Sequence, residues 1–133
     1  MNILYEDNHC IAVSKPHGVL VQGDKTGDPN LMDEVKAFIK EREKKPGNVF
    51  LGLVHRLDRP VGGVTLFAKT SKGASRLSEQ FRTRSVEKTY WAVVEGEPRE
   101  KKGRVVQWLR KDEANNFVPV SYTHLTLPTT PYV

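Results

Sequence analysis

With 133 residues, the chain has room for one small domain and not for two of ordinary size. Its 21 basic and 16 acidic side chains leave a formal charge of +5 and a pI near 9.4, a balance that favours a polyanionic partner. The single cysteine, Cys10, excludes an internal disulfide and supplies no metal-ligand set, and the apolar runs are far too short to cross a membrane, which fits a soluble cytoplasmic protein.

The first predicted elements are two short strands, Ile11-Ala12-Val13 and Val19-Leu20-Val21, flanking a turn set by the Pro and Gly of Lys15-Pro16-His17-Gly18. Cys10, between His9 and Ile11 at the start of the first of these runs, reads as a small buried apolar residue rather than a nucleophile. A polar loop, Asp24 to Asn30, leads to a helix with Asp28 as its cap and Pro29 at its first position. Leu31, Val35, Phe38 and Ile39 recur there at helical spacing, and the charged run Lys40 to Lys45 ends it. An apolar strand-like run, Val49 to Val54, then enters a Pro- and Gly-rich turn, followed by a strand Val64 to Ala68. Ser71 caps a second helix with Ala74, Leu77 and Phe81 on one face and Arg76, Arg82 and Arg84 elsewhere. Lys88 to Val94 is rich in β-branched and aromatic residues and predicts a strand, as does Val105 to Leu109. Strands mixed with two helices, without regular alternation, predict an α+β domain around a mostly antiparallel sheet with flanking helices.

Charge is not spread evenly. Residues 1–68 hold nine basic and nine acidic side chains, whereas residues 69–111 hold twelve basic and five acidic, a net of +7. A segment of that sign suits phosphate tracking, with Arg76, Arg82, Arg84 and Lys88 as candidate backbone contacts, or a solvated face. The densest chemistry lies just upstream, in G-L-V-H-R-L-D-R-P-V-G-G at 52–63. Asp58 sits between Arg56 and Arg59, and cations within a few ångströms favour an ionised carboxylate able to act as nucleophile or general base. Taken alone, the residues leave open a second role for Asp58, tying down the turn through backbone hydrogen bonds. His55 either contacts phosphate or braces that turn.

Three blocks occur in order: I-L-Y-E-D-N-H-C-I-A-V-S-K-P-H-G-V-L-V-Q at 3–22, H-R-L-D-R-P-V-G-G-V-T-L-F-A-K-T at 55–70, and K-T-Y-W-A-V-V-E-G at 88–96. Together they resemble the RluA-type family of RNA pseudouridine synthases over roughly the first 120 residues. The resemblance implies that Asp58 is the catalytic residue. It implies that Arg56 helps displace and replace the target base, and that Tyr90 lies against that base. It also implies a cofactor-free isomerisation of uridine in rRNA or tRNA, carried out by a protein that is monomeric when full length.

The final stretch departs from the rest. Residues 121–133 contain no Lys, Arg, Asp or Glu, and prolines there break regular elements. The division expected is thus 1–120 for the N-terminal part of a catalytic domain and 121–133 for a non-native or disordered tail. The family's late G-R-x-H-Q-I-R motif, whose Arg pairs with the catalytic Asp, is absent from the sequence, so this chain by itself is expected to be inactive. Two other classes compete. One is a non-catalytic RNA-binding module that keeps the basic face. The other is a phosphate-handling enzyme using Lys69-Thr70-Ser71-Lys72-Gly73 as an anion cradle, weakened by the scrambled order of its Walker-type residues.

Overall fold

The computed structural model describes residues 1–97, 99–104, 106–115 and 117–119, and the backbone of 126–128. The chain divides into two compact units, Met1–Thr89 and Tyr90–Val133. In the first, β1 (Asn2–Glu6), β2 (Cys10–Lys15), β3 (Gly52–Leu53) and β4 (Gly63–Ala68) form one sheet in the order β1-β2-β4-β3, every neighbouring pair antiparallel. Two helices, α1 (Leu31–Arg42) and α2 (Ser71–Arg82), complete an α+β arrangement.

Period-2 alternation builds the core. Ile11 and Val13 of β2 and Phe67 of β4 point to one face of the sheet, where Leu31, Val35 and Ile39 of α1 close over them with Val21 and Leu51. Burying side chains of this size stabilises the fold by about 1.5–3 kcal/mol each. On α2 the predicted apolar face, Ala74, Leu77 and Phe81, is half-buried, and Gly73 beside it is buried. Gly52 and Gly73 allow its close approach: a Cβ on Gly52 would meet the Ala74 Cβ at 2.9 Å, and one on Gly73 would meet the His9 carbonyl oxygen at 2.7 Å.

Several boundaries differ from the sequence reading. β1 is an additional edge strand, concealed in the sequence because its outward residues Leu4 and Tyr5 are apolar yet exposed. The Asp7 carboxylate holds its hairpin with β2, accepting from the His9 and Cys10 amides at 2.7 Å each. Val19 to Val21 is not a strand. The carbonyls of Leu20 and Val21 instead accept from the Leu31 and Met32 amides, donors that the first turn of α1 leaves unpaired. The cap of α1 is Asn30 rather than Asp28, its Oδ1 accepting from the Asp33 amide at 3.1 Å. The cap of α2 is Thr70 rather than Ser71. Only Gly52–Leu53 of the predicted 49–54 run is strand.

The second unit holds β5 (Val106–Trp108) paired antiparallel with β6 (Thr126–Pro128). Pro128 does not exclude a strand there, since β6 is an edge strand, where a missing N–H is tolerated. Apart from that backbone, the tail expected at 121–133 lies outside the described residues. The strand predicted over Lys88 to Val94 does not form. Trp91 is 96% exposed and, among the described residues, no strand pairs with this segment, so its propensity has no ladder to act on.

A polar clamp ties β1 to α1 and β4. Arg42 grips Glu6 with two bonds of 2.7 and 2.6 Å, and the Lys69 ammonium reaches the same carboxylate at 2.6 Å. The Arg42 bonds above all, then Lys69, hold the Glu6 carboxyl at about 2 against an ordinary 4.5. A depressed acid contributes stability above its unfolded pKa, and that contribution is lost as pH falls from about 4.5 toward 2. Glu6→Gln should cost about 1–2 kcal/mol at neutral pH and flatten the acid limb across that window in urea titrations. An unchanged acid limb would remove Glu6 as its source.

Candidate active site

The H-R-L-D segment occupies the loop that leaves the sheet at β3 and returns at β4. Burial alternates along it: His55 and Leu57 are half-buried, while Arg56 and Asp58 are exposed. Alternation places the two inward residues as anchors and turns the two polar ones outward together. Leu57 packs against the core cluster and lies beneath Gly63, where an added Cβ would sit 3.6 Å from its Cδ1.

His55 fills the place of a missing strand. Its Nε2 accepts from the Leu66 amide at 2.9 Å, on the edge of β4 that a longer β3 would have engaged. Its ring stacks on Phe81 of α2 at 4.8 Å and 12°. Accepting at Nε2 requires the neutral ring with its proton on Nδ1. Burial, and secondarily the Lys88 charge, push its pKa below 6.5. These are bracing contacts, and they fix where the segment begins.

Asp58 opens a turn in which its own carbonyl accepts from the Val61 amide at 3.0 Å. Its carboxylate is exposed, and among the described residues no hydrogen bond or ion pair reaches it. The pairing expected with Arg56 and Arg59 is therefore not what the structure shows. Arg59 turns to Asp28, with a 2.8 Å bond from Nη1, because its Nε is drawn at the same time to the Gly18 carbonyl at 2.9 Å.

The sequence reading missed Lys15. Only 1% exposed, it places its Nζ against three carbonyl oxygens, those of Val19 at 2.6 Å and of Pro16 and Arg59 at 3.1 Å each. Burial pushes this ammonium below its ordinary range, and the negative charge of Asp58 acts against that shift. A signal existed: Ile11, Val13 and Lys15 continue one period-2 face, so the pattern that buries the first two buries the third.

The other expected site residues are on the surface. Arg76, Arg82, Arg84 and Lys88 are all exposed, and Arg82 is paired with Glu79 one turn back. Tyr90 is exposed and belongs to the second compact unit. The anion cradle at 69–73 loses its first cation, since Lys69 is engaged by Glu6 and the Asp7 carbonyl while Thr70 caps α2. Among the described residues no three His, Cys, Asp or Glu side chains could hold a metal ion, and no helix is long and apolar enough to cross a membrane.

Comparison with known proteins places this geometry among relatives. Residues 9–129 match the model of a family described as RNA pseudouridylate synthase. A ribosomal large subunit pseudouridine synthase C from Vibrio vulnificus is 37% identical over 90% of this chain and 36% of its own length. A tRNA pseudouridine synthase C from Haemophilus ducreyi is 39% identical over 72% of this chain and 37% of its own. Among solved structures, human RNA pseudouridylate synthase domain containing 4 superposes with a TM-score of 0.72 at 25% identity, covering 96% of this chain and 50% of that one. The chain thus spans about a third of the length of the curated relatives it matches.

The neutral His55 makes the loop acid-labile. A base whose folded pKa is lowered binds its proton more readily when unfolded, so stability should fall as pH drops below about 6.5. Chemical denaturation of His55→Gln should show less of that loss, at the expense of lower stability at neutral pH. Identical pH dependence in both proteins would exclude His55 as the titrating group.

Proposed function

This chain belongs to the RNA pseudouridylate synthase family, and from that premise we propose that the protein of which it forms part isomerises uridine to pseudouridine in structured rRNA or tRNA. The observation that carries the proposal is the exposed Asp58 carboxylate, unpaired among the described residues and presented beside Arg56 on a loop anchored from both sides. The names of the relatives, which specify the ribosomal large subunit and tRNA, support these two substrate classes.

The reaction breaks the bond between ribose and the uracil nitrogen, turns the freed base and rejoins it through carbon. It needs no cofactor. The uridine first leaves its stack, at a cost of a few kcal/mol that is least in a loop or bulge. Asp58 then acts at the sugar, as nucleophile at the anomeric carbon or as base at its neighbour. Arg56 takes the place vacated by the base, and Tyr90 holds the detached uracil by stacking and hydrogen bonding. His55, engaged with Leu66 and Phe81, serves the substrate by fixing the loop. The exposed cations Arg76, Arg82, Arg84 and Lys88 take the RNA backbone. Cytoplasmic location and a monomeric state belong to the same proposal.

Activity is proposed for a protein of the relatives' length. The 133-residue chain lacks the G-R-x-H-Q-I-R motif that supplies the Arg partner of Asp58, and by itself it is proposed to be inactive.

Asp58→Asn preserves shape and removes the ionisable group. In the completed enzyme, pseudouridine formation should fall by at least about a thousandfold while RNA affinity and melting temperature stay near those of the parent. Turnover within tenfold of the parent would sink the assignment. The RNA contacts are read separately, by salt. Because an exposed pair such as Arg82–Glu79 is worth under about 1 kcal/mol, a phosphate can displace Glu79. Changing Arg82 and Arg84 together to Gln should reduce the slope of log affinity against log salt by about one to two. An unchanged slope would return both arginines to the solvated face.

A further inference from the structure

The Asp58 carboxylate receives no bond of its own among the described residues, so the direction in which it points is set by the backbone on either side. On the N-terminal side Leu57 and His55 fix it. On the C-terminal side the Val61 amide closes the turn on the Asp58 carbonyl, and Arg59 ties that turn to the rest of the fold, using main chain and side chain together. Its carbonyl accepts from the Gly18 amide at 2.7 Å and from Lys15 Nζ at 3.1 Å, while its Nε returns a bond to the Gly18 carbonyl at 2.9 Å. Gly18 takes part with φ of 81°, a conformation that favours glycine. The guanidinium then extends to Asp28.

Asp28 is a surface side chain close in sequence to buried structure. It lies two positions before the buried Asn30 cap of α1, whose first amides are bonded to Leu20 and Val21. Arg59 therefore spans from the residue next to the catalytic carboxylate to the foot of the main core helix.

We propose that Arg59 is a positioning residue for Asp58, with Asp28 as its fixed counter-anchor, so that the loop before α1 governs turnover without touching RNA. This rests on the pseudouridine synthase reading. The rival is that Arg59 is a phosphate ligand resting on Asp28 until RNA arrives. Asp28 separates the two: removing its charge loosens a positioning clamp, but frees a phosphate ligand to bind RNA better.

The experiment has two arms. In the 133-residue chain, amide hydrogen exchange reads the clamp directly. Arg59→Gln and Asp28→Asn should each raise exchange at Gly18 about tenfold while the β2 and β4 amides of the core hold their rates. Unchanged exchange at Gly18 in both variants overturns the proposal. In an enzyme completed to the relatives' length, Asp28→Asn should lower kcat about tenfold with KM unchanged, since small displacements of a reacting group carry costs of this order. The double variant Asp28→Asn with Arg59→Gln should lose no more than Arg59→Gln alone. An unchanged kcat with lower KM in Asp28→Asn would make Arg59 a phosphate ligand and overturn the positioning role. A completed parent enzyme that forms no pseudouridine would strike the functional reading instead, leaving the exchange arm to judge the clamp.

Discussion

A single buried cation organises the front of this sheet. Strand alternation carries Lys15 onto the core face of β2, where no water reaches it, and removing an ammonium from water costs several kcal/mol unless it is fully engaged. Three carbonyls engage it, and each charge-assisted bond returns about 1.5–3 kcal/mol. Their placement matters more than their sum. Pro16 and Val19 belong to the turn leaving β2, and Arg59, 44 positions beyond Lys15, belongs to the loop between β3 and β4, so one side chain fastens two loops. If Lys15 were lost, those carbonyls would converge on nothing.

Around that point the loop is rigid where it is buried and open where it is reactive. β3 spans only two residues, which leaves the β4 edge with unused donors, and the His55 imidazole takes one of them. A side chain thus does the work of a strand while the backbone swings away to present Arg56 and Asp58. A longer β3 would have satisfied the ladder and flattened the loop against the sheet. The irregularity is what creates the site.

Much of this was legible in the sequence. The faces of α1 and α2, the strand β4 and the H-R-L-D loop follow from periodicity or from residue order, which are local signals. The misreadings have a common origin. Asp28 looks like a helix cap because cap residues are recognised by type and position, yet its partner, Arg59, lies 31 positions away, and the nearer Asn30 takes the capping role. Val19 to Val21 looks like a strand because it is apolar, but its carbonyls serve a helix start. Lys88 to Val94 has the composition of a strand and no partner among the described strands. Propensity describes what a segment accepts, while pairing decides what it becomes. Lys15 was hidden for a different reason: lysine is read as surface by habit, and only the alternation of Ile11 and Val13 argues otherwise.

The openness of Asp58 has a chemical consequence within the pseudouridine synthase reading. A carboxylate in bulk water is a weak nucleophile and a weak base, because water stabilises its charge, and at 4 Å in water a neighbouring cation is worth only about 1 kcal/mol. When RNA covers the loop, the same cations act through a lower dielectric and each interaction strengthens several-fold. Arg56 is exposed on the same side of the alternating segment as Asp58. The buried Lys15 needs no such change, since its environment is already dry and its bonds are already made. On that reading protein and substrate would divide the electrostatics: the fold supplies a fixed cation behind the carboxylate, and bound RNA would supply the exclusion of water in front of it. A loop held this firmly before substrate arrives has little left to reorganise when it does.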